Sequence, residues 1–179
     1  MGLIATAAES ESVAASIADN GNVYFVPAFT GLGAPHWDMY SRGTIVGLTR
    51  GTGRAHIVRA ALESIAYQAA DVLEAMSRDS STRLNVLHVD GGASANDFLM
   101  QFQADILGTR VQRPAVIEST ALGAAMLAGR AVGLWTDADL RGLSKGGREF
   151  APNMDEATRR HLLRQWRRAV EKSSGWEEA

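Results

Sequence analysis

The residues with the most chemical promise are Asn85-Val86-Leu87-His88-Val89-Asp90-Gly91-Gly92-Ala93-Ser94-Ala95-Asn96, followed by the helical pattern Asp97 to Leu107. A short apolar run ends in Asp90, and two glycines let the backbone turn before the helix begins. A turn of this kind puts free backbone N–H groups and the positive end of a helix dipole at the mouth of a strand. Open α/β sheets take their ligands there. Two readings follow. In one, the stretch is an ordinary strand-to-helix turn with Ser94 or Asn96 as the helix cap. In the other it is a nucleotide platform, with glycine backbone under the purine or ribose and the Asn96 amide hydrogen-bonding it one helical turn on. Gly91, Gly92 and Asn96 are the candidate binding residues, and spacing alone leaves both readings open.

Weaker candidates surround it. Gly51-Thr52-Gly53 before a helix has the look of a phosphate turn but lacks a following lysine, which favours plain turn geometry. His36-Trp37-Asp38 could be an acid/base pair, yet it has no third partner in sequence, and a structural role is expected. Asp90 could hold a metal or a proton, or simply order its turn. The four histidines, His36, His56, His88 and His161, show no metal-ligand spacing and the chain has no cysteine, so no metal site is expected.

The elements that must position these residues read as follows. Gly2 to Asn20 is a helix with a thin apolar stripe, and Val23-Tyr24-Phe25-Val26 is a strand ended by Pro27. Ala28 to Arg42 is a glycine- and proline-bearing loop whose Phe29, Leu32, Trp37, Met39 and Tyr40 are expected to be buried. Gly43 to Leu48 is a second strand, and Ala55 to Ser77 a long helix with Ile57, Ala61, Ile65, Ala69, Val72 and Met76 at three- and four-residue spacing. Thr109 to Arg113 alternates as a strand ending at Pro114, Ser119 or Thr120 caps a small-residue helix to Ala131, and a connection runs from Trp135 to Gly147. Asp155 to Lys172 is a last helix with a basic face, Arg159, Arg160, Arg164, Arg167, Arg168 and Lys172, read as solvated. The α-β-α-β-α order after Arg54 calls for parallel strands with helices on their faces, and the resulting sheet looks too small for a free-standing domain. With 46% hydrophobic and 21% charged residues and a net charge of −2, nothing points to nucleic acid. No apolar run approaches the ~20 residues of a membrane span, and the first residues lack the basic flank of a signal peptide, so a cytoplasmic protein without membrane contact is expected.

From Val23 to about Trp135 the chain resembles the C-terminal part of the FGGY carbohydrate kinases, in particular the members that phosphorylate glycerol. The segments that carry the resemblance are Val26-Pro27-Ala28-Phe29-Thr30-Gly31-Leu32-Gly33-Ala34-Pro35 and Arg42-Gly43-Thr44-Ile45-Val46-Gly47-Leu48-Thr49-Arg50-Gly51. A signature from Gly43 through His56, Ala60, Leu62 and Glu63 adds to them, as does Val89-Asp90-Gly91-Gly92-Ala93 to Asn96 with Phe98-Leu99-Met100-Gln101-Phe102-Gln103. The resemblance implies an actin-like, ribonuclease-H-like ATPase core of two lobes. ATP would be held mainly by the second lobe and glycerol in the cleft, with Mg²⁺-dependent transfer of the γ-phosphoryl group to a terminal hydroxyl. It assigns Gly92 and Asn96 to the nucleotide and Gly91 to shaping the turn. In the family the substrate pocket, the aspartate base and the phosphate turns lie N-terminal to the region present here, so no catalytic residue is named. His36 stands where the family usually has tyrosine, and Pro152 to Thr158 does not reproduce the acidic patch by which some members bind a sugar-transport regulator.

The expected fold is α/β, a partial second lobe of the actin-like ATPase type lacking its first strands. It divides into a helical lead-in (1–22), the incomplete family domain (23–135) and a C-terminal connection with an amphipathic helix (136–179). The expected function is the nucleotide-binding part of an ATP-dependent glycerol-phosphorylating enzyme, inactive alone. The rivals are a non-catalytic nucleotide-binding or assembly module and the C-terminal part of another FGGY sugar kinase. Adenine nucleotide (ATP or ADP) is the expected ligand, with Mg²⁺ and glycerol only in the complete enzyme. The expected protein partner is a second copy or a missing N-terminal half.

Overall fold

The structure, a computed structural model, describes residues 2–82, 84–143 and 146–178. Its longest element is α2 (Arg54–Ser80), which at 27 residues runs about 40 Å. Gly53 precedes it in extended conformation, with its N–H donated to Nδ1 of His56 at 3.1 Å, and Ser81 ends it in the left-handed region at φ 53. One face buries Val58, Ala60, Ala66 and Tyr67 together with the polar Glu63, Ser64 and Asp71. A shorter helix, α1 (Glu9–Ala15), lies against it and carries Glu9 and Glu11 in its first turn, where they favour the helix dipole.

Two short strands, β1 (Tyr24–Val26) and β2 (Thr44–Val46), pair antiparallel with Phe25 opposite Ile45. Gly47, just past β2, has φ +84, and a Cβ there would stand 2.0 Å from the Asn22 carbonyl oxygen, so no other residue fits that close approach. The second sheet holds β3 (Val86–His88), parallel to β4 (Arg110–Pro114), with β5 (Gly147–Phe150) antiparallel on the far side of β4. Helix α3 (Asp97–Leu107) joins the parallel pair and ends at Gly108, whose φ of 62 is a helix-stopping geometry. Beyond β4 come α4 (Ser119–Ala131), α5 (Asp137–Leu143) and α6 (Glu156–Ser173). Helix α6 opens with Asp155 accepting from the Thr158 N–H at 2.9 Å.

One core joins these parts: Tyr24 and Val26 from β1, Tyr67 from α2, Leu99, Phe102 and Ile106 from α3, Val111 from β4, Phe150 from β5, and Trp166 and Val170 from α6. Trp166 stacks on Tyr67 with centroids 5.2 Å apart, and Tyr67 meets the Phe102 edge at 5.5 Å. The Trp166 indole N–H donates to Asp71 Oδ2 at 2.7 Å, and His36 Nε2 reaches the same oxygen at 3.1 Å.

Four sequence expectations change. The first helix is seven residues, not a run from Gly2 to Asn20. The two early strands form a separate ribbon, and the second sheet takes its third strand instead from β5, which starts where the Trp135 to Gly147 connection ends and where no element is expected. Gly147-Arg148-Glu149-Phe150 shows no apolar alternation because only Phe150 is buried. Ser119 and Thr120 do not cap α4: Glu118 holds the cap position without a side-chain bond, and Ser119 donates to Asp90. The aromatic loop is also less buried than expected. Leu32 packs at 7% exposure, but Phe29, Trp37 and Met39 are 69%, 79% and 68% exposed. Polar bonds order that loop instead. Leu32 and Asp38 exchange backbone bonds at 2.7 and 3.0 Å, and the Asp38 carboxylate takes the N–H groups of Tyr40, Ser41 and Gly175 and the Ser41 hydroxyl.

Candidate functional site

At the end of β3 the two glycines do different work. Gly91 sits at φ 78, ψ 172, a region essentially closed to other residues. Its N–H donates to Ile117 O at 2.7 Å, tying the turn to the approach to α4. Gly92 needs no special conformation, and nothing lies within 4 Å of where its Cβ would be. It opens a 3-10 turn (Gly92–Ala95) and offers bare, exposed backbone to solvent.

The turn is braced from below. Ser94, 2% exposed, donates both its N–H and its hydroxyl to Gly91 O, at 3.0 and 2.7 Å. Arg113 on β4 donates one nitrogen to Ser94 O at 2.7 Å and to Asp97 Oδ1 at 2.9 Å, and its guanidinium lies 5.4 Å from the Phe150 ring centroid. Charge-assisted bonds from a stacked guanidinium fix geometry better than a lone ammonium would.

Asn96 lies at the start of α3 with both ends of its amide bonded. Its Oδ1 accepts the Leu99 N–H at 2.9 Å and so caps α3, the role the plain-turn reading gave it. Its Nδ2 donates to Ser10 Oγ of α1 at 3.3 Å. A primary amide nitrogen carries two hydrogens, so the bond to Ser10 leaves one Nδ2 donor over. Ser94 is not the helix cap.

Asp90 orders its surroundings by accepting from Ser119 Oγ. It also lines a cavity of about 570 Å³ with His88, Gln112, Arg113, Ser119 and Arg148, which flanks the turn without including Gly91, Gly92 or Asn96 among its walls. The Gly51-Thr52-Gly53 amides are all spent internally: Gly51 N–H on Thr49 Oγ1, Thr52 N–H on Thr49 O, and Gly53 N–H on His56. That leaves none of these three backbone amides for a phosphate. His36 faces Asp71 and not Asp38, so the acid/base pair does not form. Half of the basic face of α6 is ion-paired, Arg159 and Arg160 with Glu156 and Arg167 with Glu74.

Behind α1 lies a second polar cluster. Glu63, 2% exposed, takes Arg59 Nε at 2.8 Å and Asn20 Nδ2 at 2.7 Å. Burial pushes its carboxyl above the ordinary value in spite of the bond from Arg59. Burial, with the Glu63 charge adding to it, also pushes the Tyr24 hydroxyl up to about 12 and raises Tyr67. The Tyr24 and Tyr67 hydroxyls are both buried without a hydrogen-bond partner.

Sequence reasoning missed Ser10, Arg113 and Arg59 as supports of the site. Only Arg59 carried a readable signal, its place four residues before Glu63 on a helix. Among the described residues no three His, Asp or Glu side chains converge on a metal position. No helix among the described residues is long and apolar enough to cross a membrane.

A parallel strand pair joined by a glycine turn and a capped helix, on a sheet of three strands, defines part of an α/β domain of the actin-like ATPase type. Residues 2–132 match the family model for the FGGY family of carbohydrate kinases, C-terminal domain. The chain belongs to that family. It is 59% identical over 177 residues to a glycerol kinase of Pseudothermotoga lettingae, covering 98% of this chain and 36% of the relative. With a glycerol kinase of Symbiobacterium thermophilum the identity is 61% over 171 residues, covering 95% and 34%. Among solved structures it is similar to Plasmodium falciparum glycerol kinase with ADP at a TM-score of 0.84 and 37% identity, covering 96% of this chain and 34% of the other. It is also similar to a ligand-bound xylulose kinase of Lactobacillus acidophilus at a TM-score of 0.74 and 29% identity, covering 98% and 37%. The chain thus spans about a third of the length of the curated relatives it matches.

Proposed function

We propose that this chain is the adenosine-holding part of an ATP-dependent glycerol kinase, the enzyme that converts glycerol and ATP to glycerol 3-phosphate and ADP. Gly92 presents its open backbone to the nucleoside, Asn96 donates from Nδ2, and Gly91 shapes the turn that brings the two together. The observation that carries this is the bare Gly92 backbone beside an amide whose oxygen is committed to the α3 cap and whose nitrogen, bonded once to Ser10, keeps a second hydrogen to donate. The identity to glycerol kinases and the fold shared with one described as holding ADP support it.

Phosphoryl transfer asks the protein for positioning and charge neutralisation. This chain supplies positioning at the adenosine end, while the phosphate turns, the base and the glycerol pocket come from the N-terminal part of the family's fold. Mg²⁺, held with the nucleotide phosphates, would neutralise their charge in the complete enzyme. Alone, the chain binds adenine nucleotide and does not phosphorylate glycerol; with a separately expressed N-terminal part the activity returns.

The test is ADP titration of the chain and of Asn96→Asp. Aspartate caps a helix as well as asparagine does, so stability stays within about 0.5 kcal/mol. It removes the amide donors, so ADP binding falls by about tenfold or more. Equal affinity in the two proteins would refute the role given to Asn96, and a wild-type chain that ignores millimolar ADP would refute the site.

A further inference from the structure

Helix α1 has little of its own to hold it in place. It is seven residues long and buries only Ser10 and Ala14, too short to persist without tertiary anchors. Its anchors come from α2. At the N-terminal side Arg54 binds Leu3 O and the Glu9 carboxylate. At the C-terminal side Arg59 donates Nη1 to Ile17 O at 2.6 Å and Nε to Glu63 at 2.8 Å, and the second Glu63 oxygen takes Asn20 Nδ2 at 2.7 Å. The same Arg59 guanidinium lies 5.0 Å from the ring centroid of Phe98, in the first turn of α3 beside Asn96. On its other side α1 offers Ser10, 7% exposed, whose hydroxyl accepts from Asn96 Nδ2.

One guanidinium therefore holds the chain just past α1 and lies over a ring at the start of α3, and these two helices meet at Asn96. An ion pair this deep is a poor way to gain stability, because desolvation offsets most of the attraction. Its worth lies in geometry. We propose that Arg59, Glu63 and Asn20 form a positioning clamp that sets α1 against Asn96 and so aims the Asn96 amide at the nucleoside. The clamp rests on the adenosine reading of the turn, and none of its members touches the nucleotide.

Two substitutions open it without emptying the core. In Arg59→Lys a single ammonium replaces a fork that reaches Ile17 O and Glu63 from different nitrogens. In Glu63→Gln one of the two acceptors becomes a donor facing Arg59 or Asn20. A third, Ser10→Ala, removes the contact between α1 and Asn96 while leaving α2 untouched. The readouts on the 179-residue chain are the Asn96 side-chain amide resonances without nucleotide, ADP affinity by calorimetry, and helix content. We expect all three variants to shift the Asn96 side-chain resonances and to weaken ADP binding about tenfold with helix content retained.

Unshifted Asn96 resonances in folded Arg59→Lys and Glu63→Gln would overturn the clamp. If both of those variants unfold, Ser10→Ala decides, and unchanged Asn96 resonances there would overturn it equally. A wild-type chain that does not bind ADP refutes the adenosine site and not the clamp, since the resonance shifts are read without nucleotide.

Discussion

The sharpest test of the adenosine turn is to place one methyl group on each of its glycines in turn. At Gly92 a Cβ meets no atom within 4 Å and the backbone is outside the left-handed region. Alanine there costs the fold nothing steric and restricts the unfolded chain, a gain of about 0.4–1 kcal/mol. At Gly91 the same methyl must live at φ 78, ψ 172, at a cost of about 1–3 kcal/mol. The ligand sees the reverse weighting. A nucleoside resting on the Gly92 backbone has to make room for the methyl, an overpacking cost of about 1–3 kcal/mol, or roughly 5- to 150-fold in Kd. Thermal denaturation and ADP titration calorimetry on the two variants separate these effects. Gly92→Ala should melt at or above the wild type and bind ADP at least about fivefold more weakly. Gly91→Ala should lose both stability and affinity. A Gly92→Ala protein that binds ADP as the wild type does would refute the placement of the nucleoside on that backbone.

Two further predictions concern the polar groups in the core. Trp166→Phe keeps the ring stack on Tyr67 but removes the 2.7 Å bond to the buried Asp71 carboxylate, and it should cost about 2–4 kcal/mol in urea denaturation. Glu63 has its carboxyl raised by burial from an ordinary value of 4.5, so the folded state holds the proton more tightly than the unfolded state. The wild type should therefore lose stability through this group as pH rises from about 4.5 through the raised value, and gain it back on acidification. Glu63→Gln has no such proton. The stability of the wild type relative to Glu63→Gln, from denaturant midpoints between pH 4.5 and 8, should improve as pH falls, and a constant difference would contradict it.

The helices α2, α3 and α6 were legible because each keeps an apolar face at helical spacing and a clear stop, and β3 and β4 because turn residues bound their short apolar runs. Strand β5 was not, since an edge strand with one buried residue looks like a loop in sequence. The Phe29 to Tyr40 loop misled for the opposite reason. Its aromatics suggest burial, while the order comes from Asp38, one carboxylate collecting four donors. At the candidate site, glycines and asparagine were visible as residue types at a strand end. Their supports were not, because Ser10 lies 86 positions from Asn96 and Arg113 lies 19 from Ser94. Contacts at such separation follow from the fold and leave no local pattern.

The chain's aromatic row has an optical consequence. Trp166 is 1% exposed and bound to a carboxylate, whereas Trp37 and Trp176 are 79% and 70% exposed. From Trp166 the rings continue through Tyr67 and Phe102 to Phe98, two residues past Asn96. An aqueous quencher will silence the two outer indoles first, reach the half-buried Trp135 less readily, and spare Trp166. The Trp166 emission that survives is a built-in gauge of the core, wired by ring contact to the helix that follows the glycine turn.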